Sequence, residues 1–345
     1  MKLGEIATLV GAQTKGDPGY PVLGVGDIER LSSEQALEDN RLYFIESPAV
    51  LKRHPVTTGG GAVLTNAALA EQFEHALVAG QKELRLVFIK LLTLFDKTPA
   101  FAPQVHPRAN VDPSARVAAD ARILAGATVM EGASVGAGCI LYPGVVVEPF
   151  AEVGDGTVLY PNVVVGHHCR VGKRCILHGG TVIGADGFGF YDEPGKRHKI
   201  PQIGDVVIDD DVEIGASCTV DRATIESTRI GQHTKIDDQV HVGHNCQVGR
   251  YIYIVGNSAV GGSVTIGDGA MISGMVIIKD HVKVAKGSIV MGMSAVAQDT
   301  EPDTAYFGTP ARPARQTHKM NAALERLPDL LVQVRRLTDK IEQRP

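Results

Sequence analysis

Aliphatic residues recur at every sixth position over much of the chain. The series covers residues 105–183, 208–220 and 230–296. An α-helix repeats about every 3.6 residues and a β-strand every two, so this period fits neither and indicates a hexapeptide solenoid. We predict a parallel β-helix with three flat faces, in which each hexad forms one strand and one corner and three hexads form a coil.

Two other positions of the hexad are also restricted. The residue after the aliphatic one is often glycine, as at Gly154 and Gly231, and we expect this glycine to supply the unusual dihedral angles of a corner. The fourth residue after the aliphatic one is small. A free cysteine behaves as a small hydrophobic residue, so we expect the cysteines at this position to pack in the core. They are Cys139, Cys169, Cys175, Cys218 and Cys246.

The first hundred residues do not follow the hexad period. They contain apolar runs at 42–45 and 84–95, an expected buried strand after a glycine turn at 59–65, and helical spacing at 66–77. This combination predicts a small α/β domain over residues 1–100.

The hexads are interrupted once at length and end before a helical tail. The excursion at 184–205 is long for a loop in a compact repeat, which is typical of a functional or a disordered segment. We expect Pro328 to divide the tail into two helices. The predicted architecture is mainly β, with an α/β domain over 1–100, a β-helix over 101–306 and a helical tail over 307–345.

Charge and hydropathy narrow the classes of function. The net charge is −5, which does not favour a nucleic-acid partner. No apolar run approaches the roughly 20 residues of a transmembrane helix, and residues 1–17 lack the apolar segment of a signal peptide. We therefore expect a cytoplasmic protein without a transmembrane segment.

A corner histidine followed one coil later by glycine is the main candidate for chemistry. Gly262 follows His244 in this way, so its backbone N–H could bind a developing oxyanion near the imidazole. His281 lies about two coils after His244 on the same edge. Asp237 and Asp238 lie one hexad before His244, on the neighbouring face. A base, a possible orienting carboxylate and an amide donor suit acyl transfer to an amine or a hydroxyl.

Four strings resemble a known family. They are GADGFGF at 184–190, KIPQIG at 199–204, VEIGASCTVDR at 212–222 and IDDQVHVGHN at 236–245. The chain resembles the bacterial hexapeptide acyltransferases, and in particular the UDP-3-O-(3-hydroxyacyl)glucosamine N-acyltransferases of lipid A biosynthesis. This resemblance implies a left-handed β-helix, a uridine-binding N-terminal domain and a homotrimer with active sites between adjacent subunits.

The resemblance also assigns catalytic roles. It implies that His244 is the general base, that His281 helps to polarise the thioester carbonyl, that the Gly262 amide binds the oxyanion and that Asp237 accompanies the base. It implies neither a metal nor another cofactor. The substrates it implies are UDP-3-O-acylglucosamine and a 3-hydroxyacyl chain on acyl carrier protein.

The expected substrate-binding residues lie in two regions. Phe44 matches the aromatic residue that stacks on uracil in this family, while Ser47 and Val50 replace its polar and aromatic partners. In the excursion we expect Asp186, Phe188 and Lys199 to contact the substrate. The surrounding cations of residues 196–199 suit a diphosphate.

The tail suits a protein partner. Carrier proteins are acidic, and a basic tail would steer them. The tail also carries a short heptad stripe, which together with a three-faced prism suits a homotrimer. The basic residues are Arg312, Arg315, Lys319, Arg335 and Arg336, and the stripe is Leu330, Val334, Leu337 and Ile341.

Other functions remain open at this point. They are the O-acyltransferase of the same pathway, an acetyl-CoA-dependent sugar N-acetyltransferase, and a non-catalytic or zinc-binding hexapeptide trimer. Zinc would need a third ligand beside His241 and His244, and the sequence offers no clear one.

Overall fold

A computed structural model describes residues 1–31, 36–57 and 59–342, without the side chains of residues 339–342. The side chain of Ile341, which belongs to the predicted heptad stripe, therefore lies outside the described residues. The chain divides into two compact units, Met1–Ala100 and Phe101–Pro345.

The N-terminal unit is an α/β domain, as predicted. Its strands are β1 (Gln13–Lys15), β2 (Gly24–Gly26), β3 (Arg41–Phe44), β4 (Ala62–Thr65) and β5 (His75–Val78). Strand β1 is antiparallel to β5, and the sheet continues in parallel order through β4, β3 and β2. The helices are α1 (Leu3–Val10), α2 (Pro48–Arg53), α3 (Ala67–Ala70) and α4 (Leu84–Leu94), with a 3₁₀ turn at Ile28–Arg30.

One predicted element of this domain is wrong. The helical spacing at 66–77 yields only α3, and β5 begins at His75. Ala76 and Leu77 are fully buried in the sheet, between β1 and β4, so tertiary burial overrides the local helical pattern.

The second unit is a parallel β-helix with three faces, which confirms the prediction from the six-residue period. Val129 pairs with Val147 and Val147 with Val165, so neighbouring strands of one face belong to successive coils. The first face contains Gln104–Val105, Arg122–Ile123, Ile140–Leu141, Val158–Leu159, Ile176–Leu177, Glu213–Ile214, Lys235–Ile236, Tyr253–Ile254, Met271–Ile272, Ile289–Val290, Ala305–Phe307 and Arg312–Pro313. The second contains Asn110–Val111, Thr128–Val129, Val146–Val147, Val164–Val165, Val182–Asp186, Thr219–Arg222, His241–Val242, Ala259–Val260, Ile277–Ile278 and Ala295–Val296. The third contains Arg116–Val117, Ser134–Val135, Glu152–Val153, Arg170–Val171, Asp205–Ile208, Ser227–Ile230, Gln247–Val248, Thr265–Ile266 and Lys283–Val284.

The recurring aliphatic residues form one continuous core inside the β-helix. All of the cysteines are buried in this core, which confirms that they are packing residues. Burial raises the pKa of the Cys246 thiol to about 12 and that of Cys175 to about 11. These thiols are therefore protonated and unreactive at neutral pH.

The glycine that follows the inward aliphatic residue does not supply the unusual dihedral angles of the corner, so that prediction is wrong. A Cβ at Gly154 would lie 2.6 Å from the carbonyl carbon of Gly172 in the next coil, so this glycine provides room for a close backbone approach. The left-handed dihedral angles occur two residues later in the hexad, for example at Asn245 (φ 61°) and His281 (φ 62°). The tight corner thus tolerates polar side chains at its left-handed position.

The excursion and the tail have defined secondary structure. The excursion contains an antiparallel hairpin of Phe190–Glu193 with Lys196–Lys199. The tail is one helix, α5 (Ala314–Glu342), so the prediction that Pro328 divides it is wrong. Proline removes one N–H from the helix, but this segment is exposed, so water can bind the freed carbonyl. The described helices include none with the length and apolar character needed to span a lipid bilayer.

Candidate active site

The imidazole of His244 is enclosed by two glycines. It lies at the corner between the second and third faces. A Cβ at Gly262, one coil further on, would lie 2.7 Å from Nε2. A Cβ at Gly187, in the excursion, would lie 2.5 Å from the Cβ of His244. Both positions require glycine because any larger residue would displace the ring.

Asn245 fixes the tautomer of this histidine. Its Oδ1 lies 3.0 Å from His244 Nδ1 and also accepts a hydrogen bond from the N–H of Thr224. Its Nδ2 donates to the carbonyl of Ile225, which identifies the oxygen side of the amide. In the neutral ring, Nδ1 of His244 therefore carries the proton, and Nε2 is the acceptor beside Gly262.

The backbone of Gly262 provides a hydrogen-bond donor next to that acceptor. Its carbonyl accepts from the N–H of His281. In the described part of the chain, the N–H of Gly262 has no acceptor. A free amide beside an unprotonated imidazole nitrogen can bind negative charge that develops on a reacting oxygen.

A buried arginine anchors the excursion beside this corner. Arg222 is 2% exposed and donates to the carbonyls of Gly184 and His167 at 2.8 and 3.2 Å. Its Nη1 lies 2.6 Å from Nε2 of His167, and its Nε lies 3.9 Å from the carboxylate of Asp186. These contacts tie the start of the excursion, and with it Gly187, to the body of the β-helix.

A buried carboxylate lies among these groups. Asp221 is 7% exposed, and its Oδ2 is 3.7 Å from Nε2 of His241. Burial raises the pKa of Asp221 above its ordinary value and Asp186 adds to the rise, while His241 and His244 oppose it. His241 also contacts the hydroxyl of Thr219 through Nδ1 at 2.8 Å.

The structure brings some of the predicted catalytic residues together and separates others. His281 lies on the same corner, one coil after Ser263, and its side chain is exposed. Asp237 lies on the corner between the first and second faces. Its carboxylate accepts a hydrogen bond from the N–H of Gly256 at 2.9 Å, so within one chain it does not orient His244.

The predicted substrate-binding residues fall into two local groups. In the excursion, Asp186 forms an ion pair with Lys199, and Phe188 is 83% exposed. In the N-terminal domain, Phe44 stacks on Phe88 with ring centroids 4.2 Å apart and lines a cavity of about 560 Å³. Ser47 is the N-cap residue of α2.

Comparison with known proteins identifies the family. The chain is 35% identical to UDP-3-O-acylglucosamine N-acyltransferase of Pseudomonas aeruginosa (strain LESB58) over 98% of its own length and 94% of that protein. The chain belongs to the UDP-3-O-acylglucosamine N-acyltransferase family. The chain is also 39% identical to the protein of the same name from Methylorubrum extorquens (strain PA1). That alignment covers only 42% of this chain and 41% of the relative.

Two family models and one solved structure also match parts of the chain. Residues 150–185 match the bacterial transferase hexapeptide family (six repeats), and residues 198–299 match the GMPPB C-terminal domain. The crystal structure of Arabidopsis UDP-N-acetylglucosamine acyltransferase superposes with a TM-score of 0.50 at 22% identity, over 61% of this chain and 73% of that one. The fold is thus a left-handed parallel β-helix, as the resemblance implied.

Sequence reasoning missed three residues of this candidate site. Asn245 follows the histidine directly in the HN pair, and Asp221 and Arg222 are adjacent in the VDR string. The pattern that could have revealed the last two is the broken hexad. Charged side chains right after the inward residue Val220, next to the excursion, indicate a departure from simple core repeats.

Proposed function

We propose that this protein transfers a 3-hydroxyacyl chain from acyl carrier protein to the 2-amine of UDP-3-O-acylglucosamine in lipid A biosynthesis. Family membership supports the reaction class. One geometric observation supports the site, namely the His244 ring held between Gly187 and Gly262 with its Nδ1 bound to Asn245. No covalent enzyme intermediate is needed.

In the proposed mechanism, His244 is the general base. The amine nitrogen attacks the thioester carbon while Nε2 of His244 takes one of its protons. The carbonyl oxygen becomes an oxyanion and is bound by the N–H of Gly262, with help from His281. The C–S bond then breaks, the amide forms, and His244 returns the proton to the leaving thiolate.

The acceptor would be held by the residues predicted from the sequence. Phe44 would stack on the uracil, with Ser47 close to it at the start of α2. In the excursion, Lys199 suits a phosphate, and Asp186 and the exposed ring of Phe188 suit the sugar and an apolar group.

The outward residues of the β-helix support a homotrimer. On the third face they are mostly charged or polar, whereas on the first and second faces many are apolar. A triangular prism with two apolar faces can bury both in a closed ring of three copies. The apolar outward residues include Ile140, Val158, Ile176, Tyr253, Met271 and Ile289 on the first face and Val146, Val164, Val182 and Ile277 on the second. The charged ones on the third face include Arg116, Glu152, Arg170, Arg229 and Lys283.

The tail supports a carrier protein as the donor. Helix α5 is exposed and carries Arg315, Lys319, Arg335 and Arg336. These cations would attract an acidic carrier protein and raise the rate of encounter.

The proposal is tested by product formation. Purified protein is incubated with UDP-3-O-acylglucosamine and 3-hydroxyacyl carrier thioesters of graded length, and the amide product is sought by mass spectrometry. UDP-N-acetylglucosamine is the comparison acceptor. Amide formation only on the free amine is expected, and transfer to a hydroxyl of UDP-N-acetylglucosamine instead would replace this proposal with an O-acyltransferase.

A further inference from the structure

The proposed mechanism leaves the carboxylate of Asp221 without a role. The residue is 7% exposed and follows Val220 on the second face, in register with Ala185 at the start of the excursion. Across the described residues, its side chain accepts no hydrogen bond, and its ion-pair partner is His241 at 3.7 Å. It is therefore a nearly buried residue whose carboxylate accepts no hydrogen bond from the described chain and keeps only a small contact with solvent.

Such a carboxylate is unfavourable for folding alone. Removing an ionised carboxylate from water costs free energy that hydrogen bonds or a close cation must offset. Aspartates elsewhere in the β-helix have such partners. Asp211 is bound by both arms of the Arg174 guanidinium, and Asp268 by the side chain and N–H of Arg250.

The nearby cations do not supply the missing hydrogen bonds. Arg222 is adjacent in sequence, but its donors are directed to Gly184 and His167. Lys199 is paired with Asp186. The groups that face Asp221 electrostatically are therefore His241, His244 and the carboxylate of Asp186.

We propose that Asp221 binds the 2-amino group of the acceptor sugar as an ammonium ion and holds it beside His244. This inference rests on the proposed function, because the acceptor amine is the cation which that reaction brings to the corner. An ammonium group offers several N–H donors and a positive charge, which match a nearly buried carboxylate that accepts no hydrogen bond and whose ion-pair partner, His241, is 3.7 Å away. A hydroxyl or an acetamido group at the same carbon has no charge, so Asp221 selects for an amine.

The proton count remains simple. The bound ammonium releases one proton to water and becomes an amine with a free electron pair. That amine then attacks the thioester, and His244 accepts the second proton as proposed above. Asp221 forms and breaks no covalent bond, so its role is to bind and place the nitrogen.

The test measures binding without an acyl donor. Calorimetry of the full chain at pH 7 compares UDP-3-O-acylglucosamine with an analogue that has a hydroxyl in place of the 2-amino group. Wild type is expected to bind the amine at least about tenfold more tightly, as for a hydrogen bond to a charged group. Asp221→Asn is expected to bind both ligands equally, whereas Glu152→Gln, which removes one charge from the exposed third face, keeps the preference.

Thermal stability separates binding from folding. Because the chain leaves Asp221 without hydrogen bonds, Asp221→Asn is expected to melt at or above the temperature of wild type. A lower melting temperature, or an unchanged preference for the amine in this variant, would overturn the inference. Two results distinguish this inference from the proposed function. If wild type forms the amide but Asp221→Asn still prefers the amine ligand, only this inference is refuted. If wild type forms no amide, the proposed function is refuted.

Discussion

Two corners of the same β-helix use the same backbone turn in opposite ways. The corner between the third and first faces pairs its charges from coil to coil. Arg174 binds Asp211 at 2.7 Å, and Lys173 binds Asp155 at 2.8 Å. We call it the ion-pair corner.

The corner between the second and third faces, which we call the histidine corner, leaves polar groups available. Asp221 accepts no hydrogen bond in the described part of the chain, and the N–H of Gly262 donates none. Between them lies His244, oriented by Asn245. One corner thus satisfies its charges internally, and the other keeps a base, a donor and a carboxylate free for a ligand. The predictions below test whether that contrast reflects function.

The largest effect is expected for the base. We expect His244→Ala to lower kcat by about 10³-fold, the range of general base catalysis, without changing the melting temperature much. The matched control is His233→Ala at the ion-pair corner, where the ring stacks on Tyr251 with centroids 4.7 Å apart. Turnover of the two variants is compared by mass spectrometry, and near-normal activity of His244→Ala would exclude it as the base.

Gly262→Ala should have the next largest effect. The added methyl would lie 2.7 Å from Nε2 and displace the imidazole, so we expect kcat to fall about 100-fold, similar to the loss of an oxyanion donor. Gly274→Ala is the control at the same step of the hexad, because its methyl would meet the nearest atom at 3.4 Å. Equal activities of the two variants in the same assay would contradict the crowding of His244 at this corner.

A smaller effect is expected when the orienting amide is removed. Asn245→Ala deletes one hydrogen bond to His244, so kcat should fall about tenfold while KM for the acceptor changes little. Asn257 has the same left-handed dihedral angles on another corner, and Asn257→Ala controls for the backbone cost. A large rise in KM with unchanged kcat would instead place Asn245 in substrate binding.

Sequence periodicity could predict the β-helix because each inward aliphatic residue repeats the same local environment. The same logic predicted that Gly262 lies against His244, since one coil is a fixed number of residues. Adjacent hexads lie on different faces, so Asp237 is on the face next to that of His244, where its carboxylate accepts a hydrogen bond from the N–H of Gly256, and its role beside the base stays a prediction.

The remaining site residues depend on contacts that no period encodes. Asp221 and Arg222 lie where the excursion at 184–205 leaves and rejoins the coil, and only the folded path shows that Arg222 is buried. The continuity of α5 through Pro328 also escaped local rules, because an exposed helix can lose one hydrogen bond to water.

The smallest effect is expected at the ion-pair corner. Arg174 lowers the pKa of Asp211 to about 2, chiefly through its hydrogen bonds. The pair therefore stabilises the fold at any pH at which Asp211 is ionised in both the folded and the unfolded state. This contribution is fully present above the ordinary pKa of 3.8 and is lost as the pH falls towards about 2. Arg174→Ala should therefore lower the melting temperature slightly at pH 7 and less between pH 4 and pH 2, because exposed pairs contribute little. Its acyl transfer should equal that of wild type, and a clear loss of turnover would mean that this corner, too, serves the reaction.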